Sequence, residues 1–427
     1  MQKEKLVPEI RFKGFEEEWV KFKLGDIGIF NSNGVDKVYR EKDNAVHMVN
    51  YMDVYNKVEI TSNNINRFMI TTANNSELIN NNLIKGDILF TPSSETIDDI
   101  GHTFVVQETI PNLVYSYHLV RFRPNSEEFY ETFANYCLDQ KRLCEQYMLR
   151  AQGVQRFVLN REHFNSLSVI KPSILEQKKI NKFLFSLDSY INSQKLKLKK
   201  LNEVKQSLLN KMFASENQKF PEIRFKGFDD EWVKFKLGDI GIFNSNGVDK
   251  VFREKDNAVH MVNYMDVYNK VEITLNNIDR FMITTANNSE LIKNNLIKGD
   301  ILFTPSSETI DDIGHTFVVQ ETIPNLVYSY HLVRFRPNSE EFYETFANYC
   351  LDQKRLCEQY MLRAQGVQRF VLNREHFNSL SVIKPSILEQ KKINKFLFSL
   401  DSLIRSQELK LEKLNNIKQA LLGKMFC

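Results

Sequence analysis

The 427-residue sequence contains no run of about 18 apolar residues that could cross a membrane. The start, Met1-Gln-Lys-Glu-Lys-Leu-Val-Pro8, lacks the apolar core of a signal peptide. A dominant charge is absent too, since 57 Lys and Arg residues against 54 Asp and Glu residues leave a net charge of +3. These absences predict a cytoplasmic protein, in which any binding of nucleic acid is confined to a local surface.

Metal and nucleotide motifs are also missing. The five cysteines, at positions 137, 144, 350, 357 and 427, form no C-x-x-C pair, and the eight histidines form no H-E-x-x-H arrangement. There is no G-x-x-x-x-G-K-[ST] phosphate loop, no G-x-G-x-x-G and no Pro-Pro pair of an adenine-methyltransferase motif. We therefore expect reduced thiols, no metal, no cofactor and no catalytic activity in this chain.

A duplication dominates what is present. Residues 8–214 recur as residues 221–427 without insertion or deletion, and 15 of the 207 aligned pairs differ. Six differences lie before residue 81 of the first copy, and nine crowd into its last 25 positions. A period this long indicates duplicated domains rather than a solenoid. Such a molecule is expected to read something that itself comes in two similar halves.

Each copy has two segments that differ in composition and hydrophobic pattern. Residues 8 to about 173 mix polar loops with four short β-rich runs, at 45–52, 87–90, 102–106 and 117–122, and residues 128–150 have the pattern of a helix. This predicts an α+β globular domain. Residues 174–213 contain neither Gly nor Pro and follow Pro172-Ser173, which predicts one long helix.

The long helix carries apolar residues at 4-3-4-3 spacing in both copies, which predicts a coiled-coil seam with two polar interruptions, Gln194 and Lys205. Antiparallel pairing is expected, because it relates the copies by a twofold axis. The predicted pairing residues are Ile180, Leu184, Leu187, Ile191, Leu198, Leu201, Leu208, Ile393, Leu397, Leu400, Ile404, Leu411, Leu414 and Leu421.

Charges beside the seam differ between the copies. Lys195 and Lys199 are replaced by Glu408 and Glu412. Two identical lysine-rich helices repel each other, whereas a Lys-bearing helix opposite a Glu-bearing one gains flanking ion pairs. We expect such pairs, with drift on a solvated face as the alternative.

Three loops in each copy, at 31–42, 91–96 and 150–156, combine cationic, amide and hydroxyl groups. Gln pairs with adenine and Arg with guanine in the major groove, while Lys and hydroxyls hold phosphates. Singly, each loop is equally well an ordinary polar surface. The candidate DNA contacts are Lys37, Arg40, Thr91, Ser93, Ser94, Arg150, Gln152, Gln155, Arg156, Lys250, Arg253, Thr304, Ser306, Ser307, Arg363, Gln365, Gln368 and Arg369.

Two segments of each copy resemble the specificity (S) subunits of type I restriction-modification systems. Pro8-Glu-Ile-Arg-Phe-Lys-Gly-Phe15, with Glu18-Trp19, resembles the opening of a target-recognition domain. Pro172-Ser-Ile-Leu-Glu-Gln-Lys-Lys-Ile180 resembles the helical spacer that follows it. The resemblance implies recognition domains at 1–173 and 221–386, spacer helices at 174–213 and 387–427, and a linker at 214–220.

The same resemblance implies a subunit without catalytic activity that joins two DNA adenine methyltransferase subunits and, where present, ATP-dependent restriction subunits. In the family the recognition domains face opposite ways across an antiparallel helical pair, and they read a bipartite DNA target. Family members commonly carry two unlike domains, whereas these two are almost the same, so we expect a near-palindromic target. A tandem-repeat endonuclease and a coiled-coil adaptor that binds only proteins remain the alternatives.

Overall fold

The computed structural model describes residues 6–215 and 218–427, which form two compact units. Unit 1 combines Met1–Lys195 with Leu409–Cys427, and unit 2 is Leu196–Glu408. Residues 1–5, in the first predicted domain, and 216–217, in the predicted linker, lie outside the described residues. Each unit thus holds one globular domain together with parts of both long helices.

The first copy contains eleven strands and six helices. In chain order they are β1 (Val20–Lys23), β2 (Gly28–Asn31), β3 (Asn44–Val49), α1 (Tyr51–Tyr55), β4 (Met69–Ala73), α2 (Asn75–Asn81), β5 (Ile88–Phe90), β6 (Ser93–Ser94), β7 (Thr103–Val105), β8 (Leu113–Tyr115), β9 (Val120–Pro124), α3 (Ala134–Cys137), α4 (Lys141–Arg150), β10 (Phe157–Val158), α5 (Arg161–Ser166), β11 (Ser168–Lys171) and α6 (Ile174–Met212).

Two sheets form the body of the first globular domain. One is antiparallel with strand order β2-β9-β5-β7, and every residue of β5 is buried. The other has the order β4-β3-β8, in which β3 pairs antiparallel with β4 and parallel with β8. Two short ribbons, β1-β11 and β6-β10, join distant parts of the sequence. The β6-β10 ribbon brings two of the predicted DNA loops together.

Asparagine side chains begin several of the short helices. The Asn74 side chain accepts a hydrogen bond from the Glu77 amide at 2.9 Å, and the Glu77 carboxylate accepts one from the Asn74 amide at 2.9 Å. This reciprocal capping satisfies two amides that lack partners within the helix. It fixes the start of α2 beside the loop 31–42.

The sequence prediction of one helix over residues 128–150 is wrong. The segment forms two helices, α3 and α4, because Glu131 adopts a left-handed backbone (φ +43°) and Gln140 is extended (φ −71°, ψ 142°). Cys137 therefore ends one helix, while Cys144 lies in the next. Similarly, the predicted strand 45–52 ends at Val49, and the strand expected at 117–122 begins only at Val120.

The cysteines are free thiols. Cys137 and Cys350 are buried, and burial raises the pKa of Cys137 to about 12 and that of Cys350 to about 11. Cys144, Cys357 and Cys427 are half-buried. The raised pKa values keep the two buried thiols protonated and poorly nucleophilic at neutral pH.

The core of unit 1 is completed by the last residues of the chain. Phe426 packs edge-on against Trp19 and face-on against Phe133, each at 5.8 Å between ring centroids. Ile180 and Leu184 of α6 belong to the same buried cluster. Because the beginning of α6 meets the end of the chain, the two helix segments in this unit run antiparallel.

Unit 2 repeats this arrangement. Phe213, just beyond the end of α6, packs against Trp232 at 6.0 Å and Phe346 at 5.8 Å. The elements of the second copy are β12 (Val233–Lys236), β13 (Gly241–Asn244), β14 (Asn257–Val262), α7 (Tyr264–Tyr268), β15 (Met282–Ala286), α8 (Asn288–Asn294), β16 (Ile301–Phe303), β17 (Ser306–Ser307), β18 (Thr316–Val318), β19 (Leu326–Tyr328), β20 (Val333–Pro337), α9 (Phe346–Cys350), α10 (Lys354–Arg363), β21 (Phe370–Val371), α11 (Arg374–Asn378), β22 (Ser381–Lys384) and α12 (Ile387–Met425).

Candidate nucleic-acid interface

Two of the predicted DNA loops meet at the β6-β10 ribbon. Phe157 pairs with Ser94 and Val158 with Ser93. Next to this ribbon, the Arg156 guanidinium donates two hydrogen bonds, each 3.2 Å long, to the Ser93 hydroxyl. The Ser93 hydroxyl and the exposed Arg156 side chain therefore share one surface.

The third predicted loop, 31–42, is held in shape by Asp36. Its carboxylate accepts a hydrogen bond from the Val38 amide at 3.0 Å and two from the Arg40 guanidinium at 3.0 and 2.5 Å. The Arg40 amide in turn donates to the Thr72 hydroxyl at 2.7 Å. The charge of Arg40 is thus partly neutralised within the loop, whereas Lys37 and Tyr39 are exposed.

The turn at Tyr117 and His118, where the sequence predicted a strand, links these loops. The Tyr117 amide donates to the Val35 carbonyl at 3.0 Å, which attaches the turn to the loop 31–42. The rings of Tyr117 and His118 lie 3.9 Å apart and both side chains are exposed. Residue spacing could not reveal this pair, since His118 is one of several dispersed histidines.

His118 lies near two positively charged side chains. Its pKa is lowered, first by desolvation and then by the positive charges of Lys37 and Arg156. Lys37 of the loop 31–42 and Arg156 of the loop 150–156 therefore lie near this imidazole, and Arg156 in turn binds Ser93 of the loop 91–96. We call the surface formed by Lys37, Tyr39, Ser93, Tyr117, His118 and Arg156 the loop face of unit 1.

Unit 2 builds a loop face from equivalent residues. The Arg253 guanidinium binds Asp249 at 3.0 and 2.6 Å, the Arg369 guanidinium donates to the Ser306 hydroxyl at 3.2 and 3.0 Å, and the rings of Tyr330 and His331 are 3.9 Å apart. The loop face of unit 2 consists of Lys250, Phe252, Ser306, Tyr330, His331 and Arg369.

Four predicted DNA contacts lie largely beneath the surface. Thr91 and Thr304 are fully buried and Ser94 and Ser307 are only 7% exposed, so these side chains are not presented to DNA as the sequence predicted. The Ser94 hydroxyl accepts a hydrogen bond from the Thr96 amide at 3.3 Å, and the Ser307 hydroxyl accepts one from the Thr309 amide at 3.3 Å.

The remaining predicted contacts divide by role. Arg150 is half-buried, and its guanidinium donates to the Ser166 hydroxyl at 2.9 Å and the Gln146 carbonyl at 3.1 Å, as Arg363 does with Ser379 and Gln359. These bonds hold both arginines against their own domain, and DNA contact by Arg150 and Arg363 stays a prediction. Among the predicted contacts, four glutamines have exposed amide side chains: Gln152, Gln155, Gln365 and Gln368.

The predicted pairing residues of α6 and α12 are all buried or half-buried. Charged residues add to this apolar seam: the Lys205 ammonium lies 2.6 Å from Asp401 in unit 2, and Lys418 lies 2.5 Å from Asp188 in unit 1. Each ion pair joins the antiparallel segments of α6 and α12 within one unit.

The flanking pairs expected from Lys195 and Lys199 do not occur among the ion pairs of the described residues. Lys199 instead lies 3.9 Å from Glu203 of its own helix. Asn192 is replaced by Arg405 in the second copy. Arg405 binds Glu272 of the second globular domain at 2.5 Å and not a residue of the other long helix. The charge differences thus alter exposed faces, and the charges within the seam, Lys205 and Lys418, are the same in both copies.

A groove of about 850 Å³ lies within unit 1, between the globular domain and both helix segments. Its lining is mixed: Lys57, Asp139 and Lys418 contribute charged groups, and Phe185 and Ile191 contribute apolar surface.

Across residues 6–215 and 218–427, no three His, Cys, Asp or Glu side chains converge as metal ligands would. In the same ranges, no helix has the length and apolarity needed to cross a bilayer.

Known proteins are similar to this chain in sequence and in fold. Residues 16–206 and 229–416 match the family model for the type I restriction modification DNA specificity domain. The putative type I restriction enzyme MjaX specificity subunit of Methanocaldococcus jannaschii is 24% identical over 230 residues, covering 52% of either chain, so the chain spans about half the length of this curated relative. The crystal structure of the S subunit from M. genitalium is 15% identical, with a TM-score of 0.56 over 99% of both chains, and shows the same fold.

These comparisons confirm the predicted fold class of two near-identical α+β domains, each followed by a long helix. The predicted resemblance is confirmed as well, since the family model matches each copy over nearly its whole length. The chain belongs to the type I restriction-modification DNA specificity family.

Proposed function

We propose that this chain is a non-catalytic subunit that reads a bipartite, near-palindromic DNA target and docks two adenine methyltransferase subunits. The observation that carries the proposal is the duplicated loop face, which the two units build from the same residue types, apart from Phe252 in place of Tyr39. Two nearly identical recognition domains are expected to bind two nearly identical DNA half-sites.

The chemistry of each loop face suits duplex DNA. The exposed Lys37 ammonium can hold a phosphate, which positions the protein without reading bases. Arg156 can pair with guanine, and the amides of Gln152 and Gln155 can pair with adenine. His118 and Tyr117 add hydrogen-bonding groups at the same place.

The near-palindrome follows from the duplication. In the family the recognition domains face opposite ways, and a duplex presents the same sequence in opposite directions only at an inverted repeat. Equal loop faces therefore favour equal half-sites separated by unspecified base pairs.

Docking of catalytic subunits is the second part of the proposal. The chain lacks the phosphate-loop and methyltransferase motifs described above, so methylation requires partner subunits. ATP-dependent restriction subunits, where present, supply cleavage. The groove of unit 1, which Asp188 and Lys418 help to line, is a candidate docking surface for a methyltransferase subunit.

The test is to co-express the chain with its cognate methyltransferase and to map modified adenines across the genome. We expect one interrupted motif whose halves match, or differ at a single position. Two unrelated half-sites would disprove the near-palindrome, and no motif at all would disprove the proposed function.

Variants connect the motif to the loop face. Replacing Arg156 and Arg369 by Ala in the same complex should abolish or relax the motif, because each change removes a candidate guanine contact. Lys21→Met is a control outside both the loop face and the groove, since Lys21 is exposed on β1. Replacing Lys37 by Met should lower the salt dependence of binding, by a slope of about 0.9 per lost phosphate contact.

The same preparations distinguish the alternative functions. A tandem endonuclease would cut DNA when the purified chain is incubated alone with Mg²⁺, and we expect no cuts. For an adaptor that binds only proteins, DNA affinity of the assembled complex would depend neither on Arg156 nor on salt.

A further inference from the structure

Six of the differences between the copies fall in the globular domains, and the structure separates them by location. Three groups emerge: the head of the domain, the short 3-10 helix Ser62–Arg67, and the region around the loop 31–42. The pairs are Glu16/Asp229, Glu17/Asp230, Ser62/Leu275, Asn66/Asp279, Tyr39/Phe252 and Asn80/Lys293.

Only Tyr39/Phe252 lies within the loop face. Tyr39 is 65% exposed and Phe252 is 64% exposed, so the two rings are presented to solvent to the same extent. Their loops are held alike: the amide that follows each ring bonds a threonine hydroxyl, at 2.7 Å from Arg40 to Thr72 and at 2.8 Å from Arg253 to Thr285. The chemical difference is therefore a single phenolic hydroxyl on matching backbones.

That hydroxyl has a recognition chemistry that the phenyl ring lacks. A phenol both donates and accepts a hydrogen bond, whereas phenylalanine offers only an apolar surface. In a major groove, a hydroxyl can bond a base edge, and its loss removes discrimination at that base pair.

The neighbouring difference, Asn80/Lys293, acts in another way. Asn80 lies near the end of α2, where its carbonyl accepts a hydrogen bond from the Asn31 side chain at 3.2 Å. Lys293 adds an exposed ammonium at the equivalent place in unit 2. An ammonium on a flexible stem suits a phosphate, which contributes affinity rather than sequence information.

We propose that the Tyr39 hydroxyl bonds a base edge in one half-site, and that Phe252 leaves the symmetry-related base pair of the other half-site unread. The target is then an interrupted palindrome that is specified at one fewer position in the half read by unit 2. This inference rests on the proposed function and assigns the one base-reading difference to a single atom.

The experiment uses the assembled methyltransferase complex and a library of targets randomised at each half-site position in turn. Methylation of each target is counted by sequencing for the wild type and for Tyr39→Phe, Phe252→Tyr and Asn80→Lys. Tyr39→Phe should reduce the preference at one base position about three- to tenfold, as expected for one neutral hydrogen bond. Phe252→Tyr should create the same preference in the other half.

Asn80→Lys is the matched control. It should raise affinity and steepen the salt dependence without changing the preferred bases. A wild-type motif with fully identical halves, an unchanged preference in Tyr39→Phe, or a base preference altered by Asn80→Lys would each overturn the inference. A wild-type complex that methylates no bipartite motif would instead refute the proposed function, so the two failures are distinguishable.

Discussion

Arg11 and Glu176, 165 positions apart, form a two-point ion pair in which the guanidinium donates to both carboxylate oxygens at 2.7 and 2.8 Å. Arg11 is 12% exposed and Glu176 is 1% exposed. The two segments that carry the family resemblance thus meet in space, and the pair fastens the head of the globular domain to the start of α6. Arg224 and Glu389 repeat it in unit 2.

Replacing Arg11 by Met should lower the free energy of unfolding by about 3–5 kcal/mol, because it leaves the Glu176 carboxylate buried without its partner. Urea denaturation measures the change. Lys141→Met is the control, since Lys141 is 91% exposed and 3.9 Å from Glu145, and it should cost less than about 0.5 kcal/mol. Equal losses in the two variants would contradict the assigned role of Arg11.

The Lys205–Asp401 pair should stabilise the seam between the helix segments of unit 2. Asp401 also accepts a hydrogen bond from the Tyr349 hydroxyl at 2.8 Å, so its carboxylate joins the globular domain to both helix segments. Asp401→Asn should destabilise the protein by about 1–3 kcal/mol. A double-mutant cycle with Lys205→Met should give a coupling energy of about 1 kcal/mol, whereas a cycle of Asp401→Asn with the exposed Lys199→Met should give none.

Gly86 and Gly101 have similar backbone conformations, but only Gly101 is crowded by neighbouring atoms. Substituting each by Ala therefore distinguishes the cost of backbone strain from the cost of a steric clash. Gly86 (φ +93°) has nothing within 4 Å of an added Cβ, whereas at Gly101 (φ +89°) that atom would lie 2.4 Å from the buried Tyr147 ring. Gly86→Ala should cost about 1–2 kcal/mol through its left-handed backbone alone. Gly101→Ala should cost about 2–4 kcal/mol, because the clash adds to the same strain. Thermal unfolding of both variants checks the difference, and equal costs would rule out the clash.

His118 should titrate below the usual range of a histidine, because desolvation and the charges of Lys37 and Arg156 lower its pKa. The folded state then binds this proton less readily than the unfolded chain. His118 therefore favours folding above its unfolded-state pKa of about 6.5, and that contribution is lost as the pH falls below it.

NMR titration of the imidazole measures this pKa, with His331→Gln removing the equivalent signal of the second copy. Lys37→Met should raise the pKa, and so should bound DNA, because a phosphate beside the ring favours its charged form. By linkage, DNA affinity should increase as the pH falls through the pKa of His118. A pKa unchanged by Lys37→Met would show that the lysine does not face the ring.

Local sequence predicted the regular parts of the molecule well. The 4-3-4-3 spacing from Ile180 onward reflects a helix whose apolar residues must leave water along one stripe, and α6 begins directly after Ser173 as expected. Failure came at residues 128–150, where helical propensity is high but Glu131 and Gln140 adopt non-helical backbones. Helix propensity depends on the residue types in a segment, and tertiary contacts that determine the backbone conformation of a single residue can override it.

The candidate site divides in the same way. The three loops could be chosen from their polar residues, and the structure retains Lys37, Ser93 and Arg156 at one surface. It removes Thr91, which is buried, and adds His118, which no motif marked.

By itself, the sequence determined the duplication, the division of each copy into two segments and the family, since these depend on patterns that repeat along the chain. Tertiary structure alone decided that Arg11 reaches Glu176 and that loops more than 50 residues apart converge around His118. It also decided that Phe426 completes the core that begins at Trp19. The physical reason is that burial and ion pairing act through space between residues whose separation in sequence carries no signal.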